Sequence, residues 1–338
     1  MSINIPEWPL DAAGYYSLPS DYATILEEAK TLLTEQTDES TEDTWTDAGI
    51  NSEVQLHRKD NPDNAYDVPW VRGHAVIEDA TPDEVVATIQ VPDMRKKWDS
   101  RFDYGAAINR FDPNTYSFYS VMKSPSMFIW ARDIAGVQRN IYDYPSKGDI
   151  TIFQKTVDDE EHAPDAGSYA KSRTRATVEL SAWVLRAKGT DTDVSYIVKV
   201  HLNGNIPTSV ISMLATETPM CVGRVRDVLY STGFAPYLLD NHDASKTILA
   251  TMSFDDGDGT EATAGERKYT AFLFAQAEDT LSFRYDAKRM YPDGVKVSVE
   301  GEAADLVKAQ TEGADLVKVS VPADAKGKRF ELIIEPAA

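Results

Sequence analysis

The chain has 338 residues, 42% of them hydrophobic, which suits one large domain or two ordinary ones and excludes general disorder. Its formal net charge is −21. Residues 247–338 carry 17 acidic and 11 basic residues, a balance of −6, leaving −15 for residues 1–246. Neither part has the clustered Lys and Arg that nucleic acid or an anionic membrane surface attracts, so the acidity reads as solubility. The one cysteine, Cys221, excludes an intrachain disulfide and a Cys-based metal centre, and fits a reducing compartment. Met1 to Leu10 has neither a basic n-region nor an apolar h-region, and no run is long enough to span a membrane. The expectation is a soluble, cytoplasmic protein.

Residues 1–20, rich in Pro, Tyr and Trp, read as an irregular arm. Ser20 or Asp21 can cap a helix in which Tyr22, Ile25, Leu26, Ala29, Leu32 and Leu33 share a face. The polar stretch Glu35 to Asp43 reads as a loop. From Trp45 the period becomes two, and 45–50, 53–59 and 68–78 read as strands. Thr81-Pro82-Asp83-Glu84 opens a helix to about Gln90, and Pro92 opens a second ending near Trp98. Strands follow at 101–111, 115–122, 129–142 and 149–157, separated by turn residues.

Residues 158–171 form an acidic loop. Two long strands, 172–187 and 193–204, come next. Pro207 then starts a long helix to about Thr232, whose stripe is Val210, Ile211, Leu214, Val222, Val225, Val228 and Leu229. Pro219 interrupts its hydrogen bonding and should kink it. Residues 233–246 read as a linker. Beyond it lie strand patterns at 247–254, 268–275, 280–285, 295–300, 316–321 and 330–335, consistent with a small all-β sandwich. Ala304 to Lys308 recurs as Ala314 to Lys318, and both copies read as strand edges.

The order of elements carries a resemblance. Pro92 to Asp99 is similar to the helix-ending Trp-Asp of START domains, the steroidogenic-acute-regulatory-related lipid transfer module. Arg132-Asp133 resembles that family's Arg-Asp at a strand start. His201-Leu202-Asn203-Gly204-Asn205-Ile206-Pro207 resembles its Asp-x-x-Gly-x-x-Pro before the last helix, with His201 in place of Asp. The likeness covers about residues 20–232. It implies an α+β helix-grip fold: a curved antiparallel sheet around a long C-terminal helix, with a lipid-sized tunnel between. The all-β region at 247–338 carries no resemblance. The domain expectation is therefore 1–232, a linker at 233–246, and 247–338.

Sterol-type members of that family imply a buried carboxylate–guanidinium pair in the tunnel. Their offsets fall near Ser120 and on Gln138, so two neutral hydrogen-bonding groups stand where ions are expected, avoiding the desolvation cost of buried charge. Tyr116, Phe118, Ser120 and Met122 share one strand face, and Ile134, Gly136 and Gln138 share another. Both core packing and cavity lining remain open for them, although Ser120 and Gln138 are polar where a packed core wants neither, and Gly136 leaves room. Met213, Thr218 and Cys221 surround the Pro219 kink, which with loop 158–171 could gate access. Arg132 and Asp133 point to opposite faces. A structural pairing is the plainer reading, with Arg132 as a polar anchor for ligand the alternative.

The five histidines have no metal-ligand spacing, and His201 reads as satisfying a turn. Asp256, Asp258 and Thr260 suggest calcium, but Glu261 and Arg267 stand where an EF-hand loop needs Gly and Glu. No nucleophile elbow or P-loop occurs. The reading is thus a non-enzymatic binder of a lipid or sterol, for transfer or sensing, with no cofactor or metal and with transient membrane contact. Two alternatives stay open: a helix-grip enzyme such as an acyl-thioester hydrolase or cyclase, and an interaction module whose β domain binds a protein partner.

Overall fold

The computed structural model describes residues 8–11, 14–64, 67–124, 129–146, 148–158, 173–204, 206–239, 243–257 and 266–337. Loop 158–171 after Asp158, Asp258 to Glu261, His162, Asn205 and His242 lie outside them. The chain forms two compact units.

The first unit holds residues 17–82 and 98–226. Its opening helix, α1 (Ser20–Thr37), buries Tyr22, Leu26, Ala29, Leu33 and Gln36. That spacing of four and three keeps one stripe inward, which is why the helix continues beyond the expected stop at Glu35. Pro19 takes the cap position, and no side chain caps it. A 3-10 turn (Glu39–Thr44) replaces the expected loop. Strands β1 (Thr46–Asn51), β2 (Val54–Lys59) and β3 (Trp70–Ile77) precede α2 (Pro82–Gln90) and α3 (Pro92–Trp98). Then come β4 (Phe102–Asp112), β5 (Thr115–Met122), β6 (Ala131–Tyr142), β7 (Ile150–Thr156), β8 (Arg173–Arg175), β9 (Thr177–Lys188) and β10 (Asp191–His201).

These strands make one sheet in the order β1-β2-β3-β10-β9-β7-β6-β5-β4, with β8 beside β6. The expected single strand 172–187 is broken at Ala176, whose N–H bonds to Asp133 O. There β8 runs parallel to β6, with Arg175 level with Asp133. The expected long last helix is two helices, α4 (Thr208–Glu217) and α5 (Cys221–Ser231), divided at Thr218-Pro219-Met220.

The sheet's two faces are assigned by what packs on them. Glu27 and Glu28 of α1 pair with Arg139 of β6 and Lys155 of β7, at 3.6 and 3.5 Å. That marks the outer face, which carries Thr115, Ser117, Tyr119 and Val121 opposite Arg139, Val137, Ala135 and Asp133. The break between α4 and α5 marks the inner face. A Cβ on Gly73 of β3 would lie 2.1 Å from the Pro219 carbonyl oxygen, and one on Gly223 2.8 Å from Val54. Only hydrogen-sized side chains allow the helices this close to the sheet.

The second unit comprises residues 8–11, 14–16, 83–97 and 227–337. Part of the N-terminal arm therefore belongs here rather than with the first unit, because Leu10 packs with Ile248, Ala250 and Phe274, and Trp8 meets Phe272 edge-on. Most of α2 and α3 also belongs here: Glu84 pairs with Arg284, and Lys97 with Asp256. One four-stranded sheet orders β11 (Tyr237–Leu238), β14 (Asp279–Arg284), β17 (Leu316–Val321) and β16 (Lys308–Glu312). The other orders β12 (Thr247–Asp255), β13 (Lys268–Ala275), β18 (Arg329–Pro336) and β15 (Val295–Gly301). Tyr269 of one sheet meets Phe283 of the other edge-on. The repeated segment resolves into two structures. Ala304–Leu306 is a turn closed by bonds to Gly301 and Ala303, whereas the second copy enters β17.

Candidate functional site

On the inner face, register brings the sequence-predicted residues of β5 and β6 together. Tyr116 is opposite Gln138, Phe118 opposite Gly136, Ser120 opposite Ile134, and Met122 opposite Arg132. Facing pairs on adjacent strands touch side by side. The room expected at Gly136 is filled: a Cβ there would sit 2.8 Å from the Phe118 ring, which lies across the glycine. Ser120 and Gln138 are buried, while Tyr116, Met122 and Ile134 stay half-buried.

Gln138 donates through Nε2 to Asn140 Oδ1 at 3.1 Å. On neighbouring strands the inner face adds Gln154, whose Nε2 donates to Ser181 Oγ at 3.0 Å, and Ser181 Oγ is 3.3 Å from Tyr196 Oη. Tyr196 stacks on Trp183 at 4.0 Å between ring centroids, and Trp98, the last residue of α3, meets Trp183 edge-on at 5.7 Å. Gln154, Ser181, Trp183 and Tyr196 are not among the residues expected at the site. Their alternation within β7, β9 and β10 was visible, but only pairing places them beside Gln138.

Arg132 does not reach along this face. Nε donates to Leu202 O at 3.1 Å and Nη2 to Asn203 O at 2.9 Å, while Nη1 donates to Trp130 O. Burial pushes its pKa down from the usual guanidinium value. Its hydrogen bonds fasten the end of β10 to the start of β6, which is the structural role. Asp133, on the outer face, takes two bonds from Arg175, both 3.1 Å, and one from Tyr119 Oη at 3.0 Å. Tyr119 in turn accepts from Arg173 Nη1 at 3.0 Å. Burial, with the Asp133 charge beside it, pushes the Tyr119 hydroxyl up to about 12, so it remains a donor.

The residues expected around the kink divide. Thr218 Oγ1 accepts from Arg101 Nη2 at 3.2 Å, tying the helix break to the start of β4. Cys221 is buried, with Arg224 Nη1 3.7 Å from its sulfur. Met213 points outward and is 40% exposed, because it lies almost half a turn from the buried Ile211. It does not join the inner face. His201 does more than satisfy a turn: its two ring nitrogens lie 3.2 Å from Asp67 and 3.0 Å from Glu179. Lys199 also bonds Asp67, at 2.7 Å. Burial would raise the Asp67 pKa, but hydrogen bonds from Lys199 and Asn61 outweigh it and hold the carboxyl below its usual range.

Among the described residues, no group of three or more His, Cys, Asp or Glu could hold a metal. None of the helices among them is long and apolar enough to cross a membrane.

Comparison with known proteins agrees with this architecture. The family model of the START domain matches residues 25–224. The structure is similar to human STARD10, with 16% identity, a TM-score of 0.51, and coverage of 64% of this chain and 82% of that one. It is also similar to human StAR-related lipid transfer protein 5, with 15% identity, a TM-score of 0.52, and coverage of 62% and 95%. At these identities the likeness speaks for the fold alone. No curated protein sequence matches the chain.

Proposed function

Because the chain belongs to the START domain family, we propose that it binds a lipid or similar hydrophobic molecule on the inner face of its sheet, beneath α4 and α5, for transfer or sensing. One observation carries this reading. In β5 and β6 the inner face alternates apolar side chains with the neutral polar groups of Ser120 and Gln138, in register, and Ile134 remains half-buried at mid-strand. Affinity would come from apolar surface removed from water, at roughly 25 cal/mol per Å². The amides and hydroxyls would orient one polar group of the ligand, and none of them exchanges a proton at neutral pH.

The test is native mass spectrometry of the purified full chain, followed by solvent extraction. A hydrophobic adduct is expected, and the delipidated protein should rebind the extracted compound. A chain that carries no adduct and rebinds neither extracted lipid nor a fluorescent fatty acyl probe would overturn the reading.

A further inference from the structure

Read across the strands rather than along them, the inner face carries a row of polar side chains. Arg110 of β4 is paired with Tyr116 of β5, Tyr116 with Gln138 of β6, Gln138 with Gln154 of β7, and Gln154 with Ser181 of β9. With neighbouring strands about 4.8 Å apart, the row is about 19 Å wide. The rows on either side are mainly apolar, apart from Thr156 beside Gly136 and Asn140 beside Ile152. Phe118 lies beside Gly136 on one side, with Ile134 beyond. Ile152 lies beside Trp183 on the other, with Leu185 beyond. This polar line thus crosses the sheet between rows that are mainly apolar, with Thr156 and Asn140 as their polar members and Ser120 one row further on.

The charges that border this line are already engaged. Arg110 donates to Pro113 O at 2.9 Å and its guanidinium lies 4.9 Å over the Tyr116 ring. Arg132 is held by three backbone carbonyls. An anionic headgroup taken out of water would need a cation, and these two are already set against an aromatic ring and backbone carbonyls. The amides are the reverse case. Among the described residues, Gln138 and Gln154 each make one hydrogen bond of the four an amide can make. Gln138 is buried and Gln154 half-buried, and an amide covered by a ligand that offers it no partner is costly, so a ligand group that accepts from these N–H groups is favoured there.

From this geometry we infer the chemical class of the ligand: a molecule with an uncharged hydrogen-bonding group, such as an ester, amide, ketone or hydroxyl, set between two hydrocarbon segments. The inference rests on the lipid-binding reading and narrows it. The row holds the polar group, and the apolar rows hold the two arms. A ligand with its only polar group at one end would leave the row facing hydrocarbon.

Three probes separate the outcomes on delipidated full chain, by competition against a fluorescent acyl probe: oleyl oleate, with an ester between two chains; squalene, with no polar atom; and oleate, with a terminal anion. Oleyl oleate is expected to bind at least about tenfold tighter than either of the others, the value of one net hydrogen bond. The double variant Gln138→Met/Gln154→Met keeps side-chain length and removes the amides. It should lower the oleyl oleate to squalene affinity ratio about tenfold, with the fold checked by circular dichroism and melting. Should the variant misfold, Gln154→Met alone must still lower the ratio. An unchanged ratio, or oleate binding tighter than oleyl oleate, would overturn the row. If the acyl probe itself does not bind, lipid binding fails, which is a different result; a bound probe that none of the three displaces would overturn the row.

Discussion

Asp133 and Ile134 are neighbours in sequence and stand on opposite sides of one strand, in opposite chemistry. On the outer face Asp133 is 5% exposed and its carboxylate takes bonds from Tyr119 and Arg175, with Arg173 joined through the Tyr119 hydroxyl. Arg139 and Lys155 meet the acids of α1 on the same side. On the inner face the same stretch of sheet shows Ser120, Ile134 and Gln138, none of them charged. Arg139 and Asp133 are thus spent on holding α1 and β8 in place and Arg132 on fastening the end of β10, and the rest of the inner face of β5 and β6 is left to neutral groups. An ionic landmark in a sequence therefore need not mark where a ligand binds. The period of two sorts structural charge from neutral inner-face groups within a single strand.

The largest effect should come from breaking the outer side. Asp133→Ala leaves the buried Tyr119 hydroxyl short of its acceptor and Arg175 without its counter-charge. Removing one partner of a buried pair costs about 3–5 kcal/mol. Because the Arg175 side chain is 38% exposed and can rehydrate, about 3 kcal/mol is expected. Urea unfolding measures it. If the two faces are chemically separate, the affinity ratio between oleyl oleate and squalene holds while stability falls. A ratio that collapses with stability would join the faces again.

A smaller loss is expected from the inner side. Gly73→Ala puts a methyl group 2.1 Å from the Pro219 carbonyl oxygen and 2.8 Å from its carbon. Backbone cannot swing aside as a side chain can, so the helix break must lift from β3. Overpacking of this kind costs about 1–3 kcal/mol. Here, unlike at Asp133, ligand exchange should change along with stability. Stopped-flow release of the fluorescent acyl probe reads this, and a destabilised variant with wild-type release would place the helix break outside the access route.

Much of the fold was legible because each face keeps its own period. The β5 strand is where alternation puts it, Thr115–Met122, and α1 shows its stripe from Tyr22 onward. What escaped has physical reasons. The β16 strand, Lys308–Glu312, is almost wholly exposed and has no alternation to read. The break at Ala176 follows from Arg175 reaching Asp133, a contact 42 residues away in sequence. Part of the site was legible in the same way, since Ser120 and Gln138 are polar within apolar strands. The row from Gln138 through Gln154 to Ser181 was not, because strand register belongs to pairs of strands and to neither alone. Met213 is close to Pro219 in sequence, but helical periodicity turns it outward.

The smallest effect tests what the break between α4 and α5 owes to proline itself. The contact that fixes the break is made by the Pro219 carbonyl over Gly73, and every residue has a carbonyl. The bonds on either side, Thr218 N–H to Leu214 O and Cys221 N–H to Thr218 O, do not involve the proline ring. Pro219→Ala therefore keeps the geometry and gives the unfolded chain more freedom, for a loss under about 1 kcal/mol. It also adds an N–H that could continue the helix across the break. If the two helices must flex apart to admit ligand, a more continuous helix slows release of the acyl probe while affinity at equilibrium stays nearly constant. Release at the wild-type rate would mean that the glycine on β3, and not the proline above it, sets how the inner face opens.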